Sequence, residues 1–373
     1  MAAAYSVHDY RRLAKRRLPK MVFDYLEGGA EDERGLTRNE QAFDDWRFRP
    51  RRLVDVSERN LKTTLWGRTH DLPVYVSPTG LNGLLRPDGD RILARAAAAA
   101  NIPFALSTAS NGSIEDVARA CDGETWFQLY VMNRELADML VKRALDADYD
   151  ALILTVDVPV NGYRERDKRN GFQVPPRRDL RTLIDGALHP AWSLDFLRTG
   201  VPKLANFETM EVTSLEAQAA LLSRKMDASF DWDALERLRD QWPRKLIVKG
   251  LSRVEDVRRC EALGVDAVIL SNHGARQLDA IEAPIRGLEA AVADASVPVF
   301  VDSGVRRGAD VIKGLCLGAQ MVGLGRALLY PLAARGRPGV DDCIEILKAE
   351  MDGALALLGV PESSGLGRDL LTD

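Results

Sequence analysis

In Ala267-Val268-Ile269-Leu270-Ser271-Asn272-His273-Gly274-Ala275-Arg276-Gln277-Leu278-Asp279, an apolar run leads straight into a histidine and an arginine three positions apart. Four consecutive apolar residues read as a buried strand, so His273 and Arg276 leave that strand together at its carboxyl end. A guanidinium there suits a carboxylate, which it grips with two parallel hydrogen bonds, and an imidazole beside it suits proton removal. The plainer alternative is a histidine capping a helix and an arginine in a surface ion pair. The rest of the chain decides between them.

Seven further runs have the same shape, giving expected strands at residues 73–77, 103–107, 125–130, 151–155, 245–249, 267–271, 298–302 and 320–324. Helical patterns lie between them. Ser113-Ile114-Glu115-Asp116 and Ser252-Arg253-Val254-Glu255 both fit capping boxes, and Asn133 stands where it can cap a helix through Leu136, Leu140 and Ala144. Residues 96–100, all alanine, are strong helix formers. Eight strand-then-helix units predict a closed parallel (β/α)8 TIM barrel, class α/β, with an open doubly wound sheet as the alternative. Residues 1–70 form an N-terminal helical extension with a basic pattern (Arg11, Arg12, Lys15, Arg16, Arg17, Lys20), and 158–244 a long insertion after strand 4. The whole chain, 1–373, reads as one domain.

Every strand ends in residues with chemistry to offer. Pro78-Thr79-Gly80 follow the first, Ser107 closes the second, and Gln128 with Tyr130 the third. Thr155 and Asp157 end the fourth, Lys249 the fifth, Asp302 the seventh, and Gly325-Arg326 follow the eighth. A barrel brings these ends to one mouth, and a row of polar termini there is hard to assign to solubility. Asp157 near His273 would orient the imidazole. Lys249, buried in the mouth, needs an anionic partner. Asp302-Ser303-Gly304-Val305-Arg306-Arg307-Gly308 and Gly323-Leu324-Gly325-Arg326 supply glycines, backbone N–H groups and arginines where these barrels bind phosphate. Tight turns with surface arginines would look similar.

Composition narrows the class. Hydrophobic content of 46% supports a large core, and a net charge of −4 gives no reason to expect nucleic acid. Cys121, Cys260, Cys316 and Cys343 are widely spaced, so reduced buried thiols in an intracellular protein are expected rather than a metal site. The start Met1-Ala2-Ala3-Ala4-Tyr5 lacks the apolar core of a signal peptide, and no run of about eighteen apolar residues could span a membrane.

With these residues in view, the chain resembles the FMN-dependent L-2-hydroxy acid dehydrogenases and oxidases, from Tyr10 to about Leu358. S-N-H-G-x-R-Q-L-D is the family's specific mark. Residues 18–30, 78–83, 161–167 and 189–196 place it nearest the mandelate-oxidising branch. The resemblance implies FMN as cofactor, His273 as base, and Asp157 as its support. It implies Arg276 and Arg164 on the substrate carboxylate, and Tyr25 and Tyr130 at the substrate hydroxyl. FMN would be held by Pro78, Thr79, Gly80, Ser107, Gln128, Thr155, Lys249 and Ser271, with phosphate on Asp302, Ser303, Gly304, Val305, Arg306, Gly325 and Arg326. The expected reaction turns an (S)-2-hydroxy acid, most simply mandelate, into its 2-keto acid and passes electrons to a respiratory acceptor such as quinone. L-Lactate oxidation and an oxygen-using oxidase are alternatives, and a catalytically silent FMN- or phosphate-binding barrel is another. A homo-oligomer, a tetramer, is also implied, with no metal.

Two departures bear on the site. Ala275 replaces the family's usual glycine, which at positive φ would cost about 1–2 kcal/mol. Gly80 replaces the alanine of lactate- and glycolate-oxidising members, which leans toward a dehydrogenase. Residues 177–207 mix apolar side chains, among them Leu180, Leu183, Ile184, Leu188, Trp192, Leu194, Phe196, Leu197, Val201, Leu204 and Phe207, with five basic and three acidic residues. That composition suits peripheral docking on the cytoplasmic side of the inner membrane, or else a lid or subunit interface.

Overall fold

A computed structural model describes residues 3–172, 180–207 and 226–372. All eight expected strands are present: β1 (Val74–Thr79), β2 (Phe104–Ser107), β3 (Thr125–Leu129), β4 (Ala151–Thr155), β5 (Lys245–Leu251), β6 (Ala267–Leu270), β7 (Val299–Val301) and β8 (Met321–Leu324). They pair in parallel in chain order, and Val322 of β8 lies beside Val74 of β1, which closes the barrel. An open sheet would leave two unpaired edges; here there are none.

Alternate residues of each strand face opposite ways, and the sequence uses both faces. Tyr75, Ala105, Trp126, Ile153, Ile247, Ile269, Phe300 and Met321, one from each strand, pack together as an inner cluster. Val74, Phe104, Phe127, Leu152, Leu246, Val268, Val301 and Val322 join the larger layer beneath the helices. Trp126 and Phe300 stack with ring centroids 5.9 Å apart and are wholly buried; truncating either should cost about 3–5 kcal/mol. A hairpin of Thr63–Leu65 and Arg68–His70 carries Trp66 against both rings, 6.3 and 6.4 Å away. The lumen is thus filled and its amino end plugged. Open space remains at the carboxyl mouth.

Helix signals in the sequence mostly act as expected. After β1–β3 come α4 (Gly89–Ala99), α5 (Ile114–Ala120) and α6 (Arg134–Asp146), and Ser113 and Asn133 accept from Asp116 N and Leu136 N at 3.0 and 2.9 Å. Ser252 does not cap; the helix opens one residue later at Val254, with Arg253 in the capping position and no side-chain cap. Arg253's extended backbone, φ −120°, leaves the serine outside the helix.

Before the barrel run α1 (Val7–Arg17), α2 (Lys20–Glu27) and α3 (Arg34–Gln41). Leu18 is extended because Pro19 follows it, which ends α1 and turns the chain into α2. The long insertion holds α7 (Glu165–Arg169), α8 (Leu180–Leu188), α9 (Pro190–Thr199) and α10 (Trp232–Gln241). α11 (Val254–Ala262), α12 (Pro284–Asp294), α13 (Gly308–Cys316), α14 (Arg326–Arg335) and α15 (Arg337–Leu358) complete the ring.

Candidate active site

The turn after β6 is built from three successive left-handed residues, His273, Gly274 and Ala275, with φ of 58°, 64° and 59°. That backbone swings the imidazole back over the mouth. Ser271 Oγ fixes it from below, accepting from His273 N at 3.1 Å and from Lys249 Nζ at 2.7 Å. Ala275 therefore carries the strain expected of a non-glycine residue there. Its methyl is fully buried against Gly35 of α3, where a Cβ would come within 2.8 Å of it, and its carbonyl accepts from Ala30 N at 2.9 Å. Burying the methyl offsets roughly 0.8 kcal/mol of the strain.

Asp157 Oδ1 lies 3.0 Å from His273 Nδ1, and Tyr130 Oη lies 3.2 Å from Nε2. Burial pushes the His273 pKa down, and Lys249 and Arg164 add to that; Asp157 opposes without reversing it. The imidazole is therefore neutral near pH 7. Burial alone would raise Asp157, yet His273 and Lys249 outweigh it and hold the carboxyl below its usual value. An ionised carboxylate on Nδ1–H leaves Nε2 as the unprotonated nitrogen, accepting from the Tyr130 hydroxyl at the cleft. That is the arrangement of a general base.

Arg276 Nη1 donates to the carbonyls of Tyr25 and Gly28, at 2.9 and 2.6 Å. These groups end α2, so the arginine anchors the helix that delivers Tyr25 and still lines the cleft. Arg164 is buried, donating from Nε to Arg276 O at 3.1 Å and from Nη2 to Gln277 Oε1 at 3.2 Å. Gln277 in turn donates to the carbonyls of Asp157 and Val160. Asp279 caps α3 from a distance, accepting from Arg34 N and Gly35 N at 3.1 and 2.6 Å. Neither Gln277 nor Asp279 was assigned a role from sequence, though both stand in the signature.

These groups open into a cleft of about 1250 Å³, counting the solvent space of its open mouth. Tyr25, Tyr130, Arg164, His273 and Arg276 share it with Pro78, Thr79, Gly80, Ser107, Thr155, Lys249, Asp302, Ser303, Gly304, Val305, Arg306, Gly325 and Arg326. Asp157, Gln128 and Ser271 stand one layer behind. Buried polar atoms without protein partners test whether a flavin fits. Ser77 Oγ, Gln128 Nε2 and Thr155 Oγ1 are such atoms, and they sit at the carboxyl ends of β1, β3 and β4. Each would cost about 1–3 kcal/mol if left unpaired, and the donors and acceptors along a flavin ring and ribityl chain would satisfy them. Gly323 keeps the floor low: a Cβ there would lie 2.5 Å from Ser77 Oγ. The residues present fit FMN.

At the expected phosphate end two side chains have protein partners of their own. Arg326 spends its guanidinium on the carbonyls of Leu26, Gly274 and Gly28, at 2.9, 3.0 and 2.8 Å. Burial and the neighbouring Arg276 pull its pKa down to about 10. Asp302 pairs with Lys249 at 3.2 Å and accepts from Ser303 Oγ at 2.9 Å, a setting for hydroxyls rather than an anion. The amino end of α14, which no side chain caps, offers backbone N–H groups beside Gly325, a setting suited to an anion. No cluster of metal-ligating side chains occurs among the described residues.

Of the amphipathic 177–207 stretch, Arg177, Arg178 and Asp179 lie outside the described residues. Trp192, Leu204 and Phe207 are buried in the body of the protein, Trp192 donating to Leu84 O at 2.7 Å, so they do not belong to an outer apolar face. Leu180, Leu183, Ile184, Leu188, Leu194, Leu197 and Val201 are exposed. Asp185 accepts from Lys20 N at 2.7 Å and Asp195 pairs with Arg17, tying α8 and α9 to the N-terminal extension. No helix among the described residues is long and apolar enough to cross a membrane.

Comparison with known proteins agrees with this geometry. The chain is 57% identical to (S)-mandelate dehydrogenase of Pseudomonas putida over 98% of its own length and 93% of that protein's. It is 41% identical to L-lactate dehydrogenase of Caulobacter sp. (strain K31), over 98% of both. Its backbone superposes on the crystal structure of the monotopic membrane protein (S)-mandelate dehydrogenase with a TM-score of 0.97 at 56% identity, covering all of both chains. With mandelate oxidase the TM-score is 0.84 at 33% identity, covering 99% of this chain and 98% of that one. Residues 14–373 match the FMN-dependent dehydrogenase family, and the chain belongs to it.

Proposed function

We propose that this enzyme oxidises (S)-2-hydroxy acids, (S)-mandelate foremost, to 2-keto acids. The observation that carries the reading is a neutral imidazole, backed by a carboxylate, opening with two arginines into one cleft. Arg276 and Arg164 hold the substrate carboxylate and fix which face of the α-carbon meets His273. Tyr130 Oη, beside Nε2, steadies charge on the substrate hydroxyl oxygen, and Tyr25 stands across from it. Oxidation removes two electrons and two protons from the CH–OH unit: His273 Nε2 takes one proton, and FMN, when bound, would supply the sink for the electron pair and the other proton. The resulting imidazolium is stabilised by Asp157. Pro78, Thr79, Gly80, Ser107, Gln128, Thr155, Lys249 and Ser271 hold the flavin, with Ser303–Arg306, Gly325 and the amino end of α14 at its phosphate.

An aryl side chain is favoured by Gly80, where no methyl narrows the cleft, and by the 57% identity to a mandelate dehydrogenase. L-Lactate is the second reading, supported by relatives of that name. Anaerobic bleaching of the flavin with (S)-mandelate, (R)-mandelate, L-lactate and glycolate decides. (S)-Mandelate should be the most efficient, and equal or better efficiency with lactate overturns the assignment. A protein that binds FMN but bleaches with none of them is the silent barrel.

The electron acceptor lies in the membrane on this reading, on the cytoplasmic side of the inner membrane. The exposed leucines of α8 and α9 support it, because helices of nine and ten residues extend only about 15 Å and must lie on a bilayer. Changing Leu180, Leu183, Leu188 and Leu197 together to serine leaves the buried Trp192 and the Asp185 and Asp195 ties intact. That variant should shift from the membrane fraction to the soluble one. If the unaltered protein is already soluble at low salt, docking is wrong.

A further inference from the structure

Tyr25 projects from the last turn of a helix only eight residues long. Its hydroxyl has no hydrogen-bond partner among the described residues, so contacts with the ring set its orientation. Two are present. The Arg276 guanidinium carbon lies 5.1 Å from the ring centroid. The Phe172 ring stacks on Tyr25 with centroids 4.3 Å apart and planes 3° from parallel. Phe172 follows α7, where its backbone N–H donates to Asp167 O at 2.8 Å, and it does not line the cleft. α7 is itself pinned to α2 through Asn170, which donates to Asp24 at 2.7 Å, and Arg166, which pairs with Glu33 beyond the helix.

We infer that Phe172 is a positioning residue for the known reaction, holding the Tyr25 phenol over the substrate by ring stacking. The inference rests on the functional reading above, because it needs the cleft to take a 2-hydroxy acid. A half-exposed phenol on a short helix end has other rotamers available. A parallel ring at this distance removes those that would turn the hydroxyl away, and it leaves the other contact, the arginine cation, to polarise the ring. Phe172 touches neither substrate nor cofactor on this reading. Its effect passes through Tyr25 alone.

The test is a double-mutant cycle on the FMN-loaded enzyme, reading both the anaerobic flavin-reduction rate at saturating (S)-mandelate and the concentration giving half that rate. Phe172→Ala should lower the ratio of the two by about 2- to 10-fold, the worth of an aromatic pair. The melting temperature and FMN affinity should stay those of the parent. Phe172→Tyr, which keeps a stacking ring, should restore the ratio. In a Tyr25→Ala background, Phe172→Ala should add no further loss. Losses that multiply in the cycle, a Phe172→Ala variant with unchanged kinetics, or one that merely melts earlier, overturn the role of Phe172 while leaving the function intact. A parent enzyme whose flavin bleaches with no 2-hydroxy acid refutes the function, and this inference with it.

Discussion

Replacing Asp157 by asparagine separates charge from shape in the catalytic pair. The amide is isosteric, so the 3.0 Å contact with His273 Nδ1 can persist while the carboxylate charge is lost. A hydrogen bond to a charged partner contributes about 1.5–3 kcal/mol, and the charge matters most when the imidazole becomes cationic. Flavin reduction should therefore slow by roughly 10- to 100-fold. The pH profile moves as well, and its sign is fixed. Asp157 raises the His273 pKa against burial, which already holds it below about 6.5. On the proposed base role neutral His273 is the active form, so activity in the parent should fall only as pH drops through a value below 6.5. Without the carboxylate that value drops further, and the acidic limb shifts to lower pH even as the plateau falls. Stopped-flow reduction from pH 5 to 8 reads both effects. A plateau within twofold of the parent, or a limb that moves upward, would refute the base–carboxylate assignment.

Arg276→Lys should lose most of its flavin reduction at any substrate concentration, because an ammonium can neither grip a carboxylate with two parallel bonds nor hold both carbonyls ending α2; steady-state KM and kcat should both suffer. Gly80→Ala places a methyl 2.8 Å from Ala109 Cβ and 3.0 Å from its carbonyl oxygen, so the Ala109 loop must give way and reoxidation of the reduced enzyme by air should quicken. Ala275→Gly relieves about 1–2 kcal/mol of backbone strain but gives up a buried methyl worth about 0.8 kcal/mol and adds chain entropy, so the urea midpoint should barely move. The thiols should resist alkylation in the native state, since burial pushes Cys260 and Cys316 up to about 12 and Cys343 higher still; prompt labelling without denaturant would contradict that burial.

The barrel was legible because its strands announce themselves twice, as apolar runs and as the polar residue closing each run. Ser113 and Asn133 were legible as caps because capping is local. Ser252 was not, since a one-residue shift in where the helix opens depends on the preceding strand's length. The carbonyl partners of Arg326 were not legible for a related reason: two of the three lie some 300 residues earlier, and no local pattern encodes them. Which apolar residues of the amphipathic stretch face outward was not legible, because Trp192 and Leu194 look equally apolar in sequence and only packing beside Leu84 buries the first. The positive φ at Ala275 could be anticipated through family likeness alone.

The guanidiniums of Arg276 and Arg326 close the end of α2 across 251 and 300 residues of chain. During synthesis, at roughly 5–20 residues per second, Tyr25 therefore waits about 15–60 s for the groups that hold its helix. An eight-residue helix cannot stand alone in water for that time. Val22, Phe23 and Leu26, all buried in the finished protein, are meanwhile uncovered on the nascent chain. The mouth therefore cannot close before the eighth strand's loop has been made, and no fragment lacking that loop can complete it.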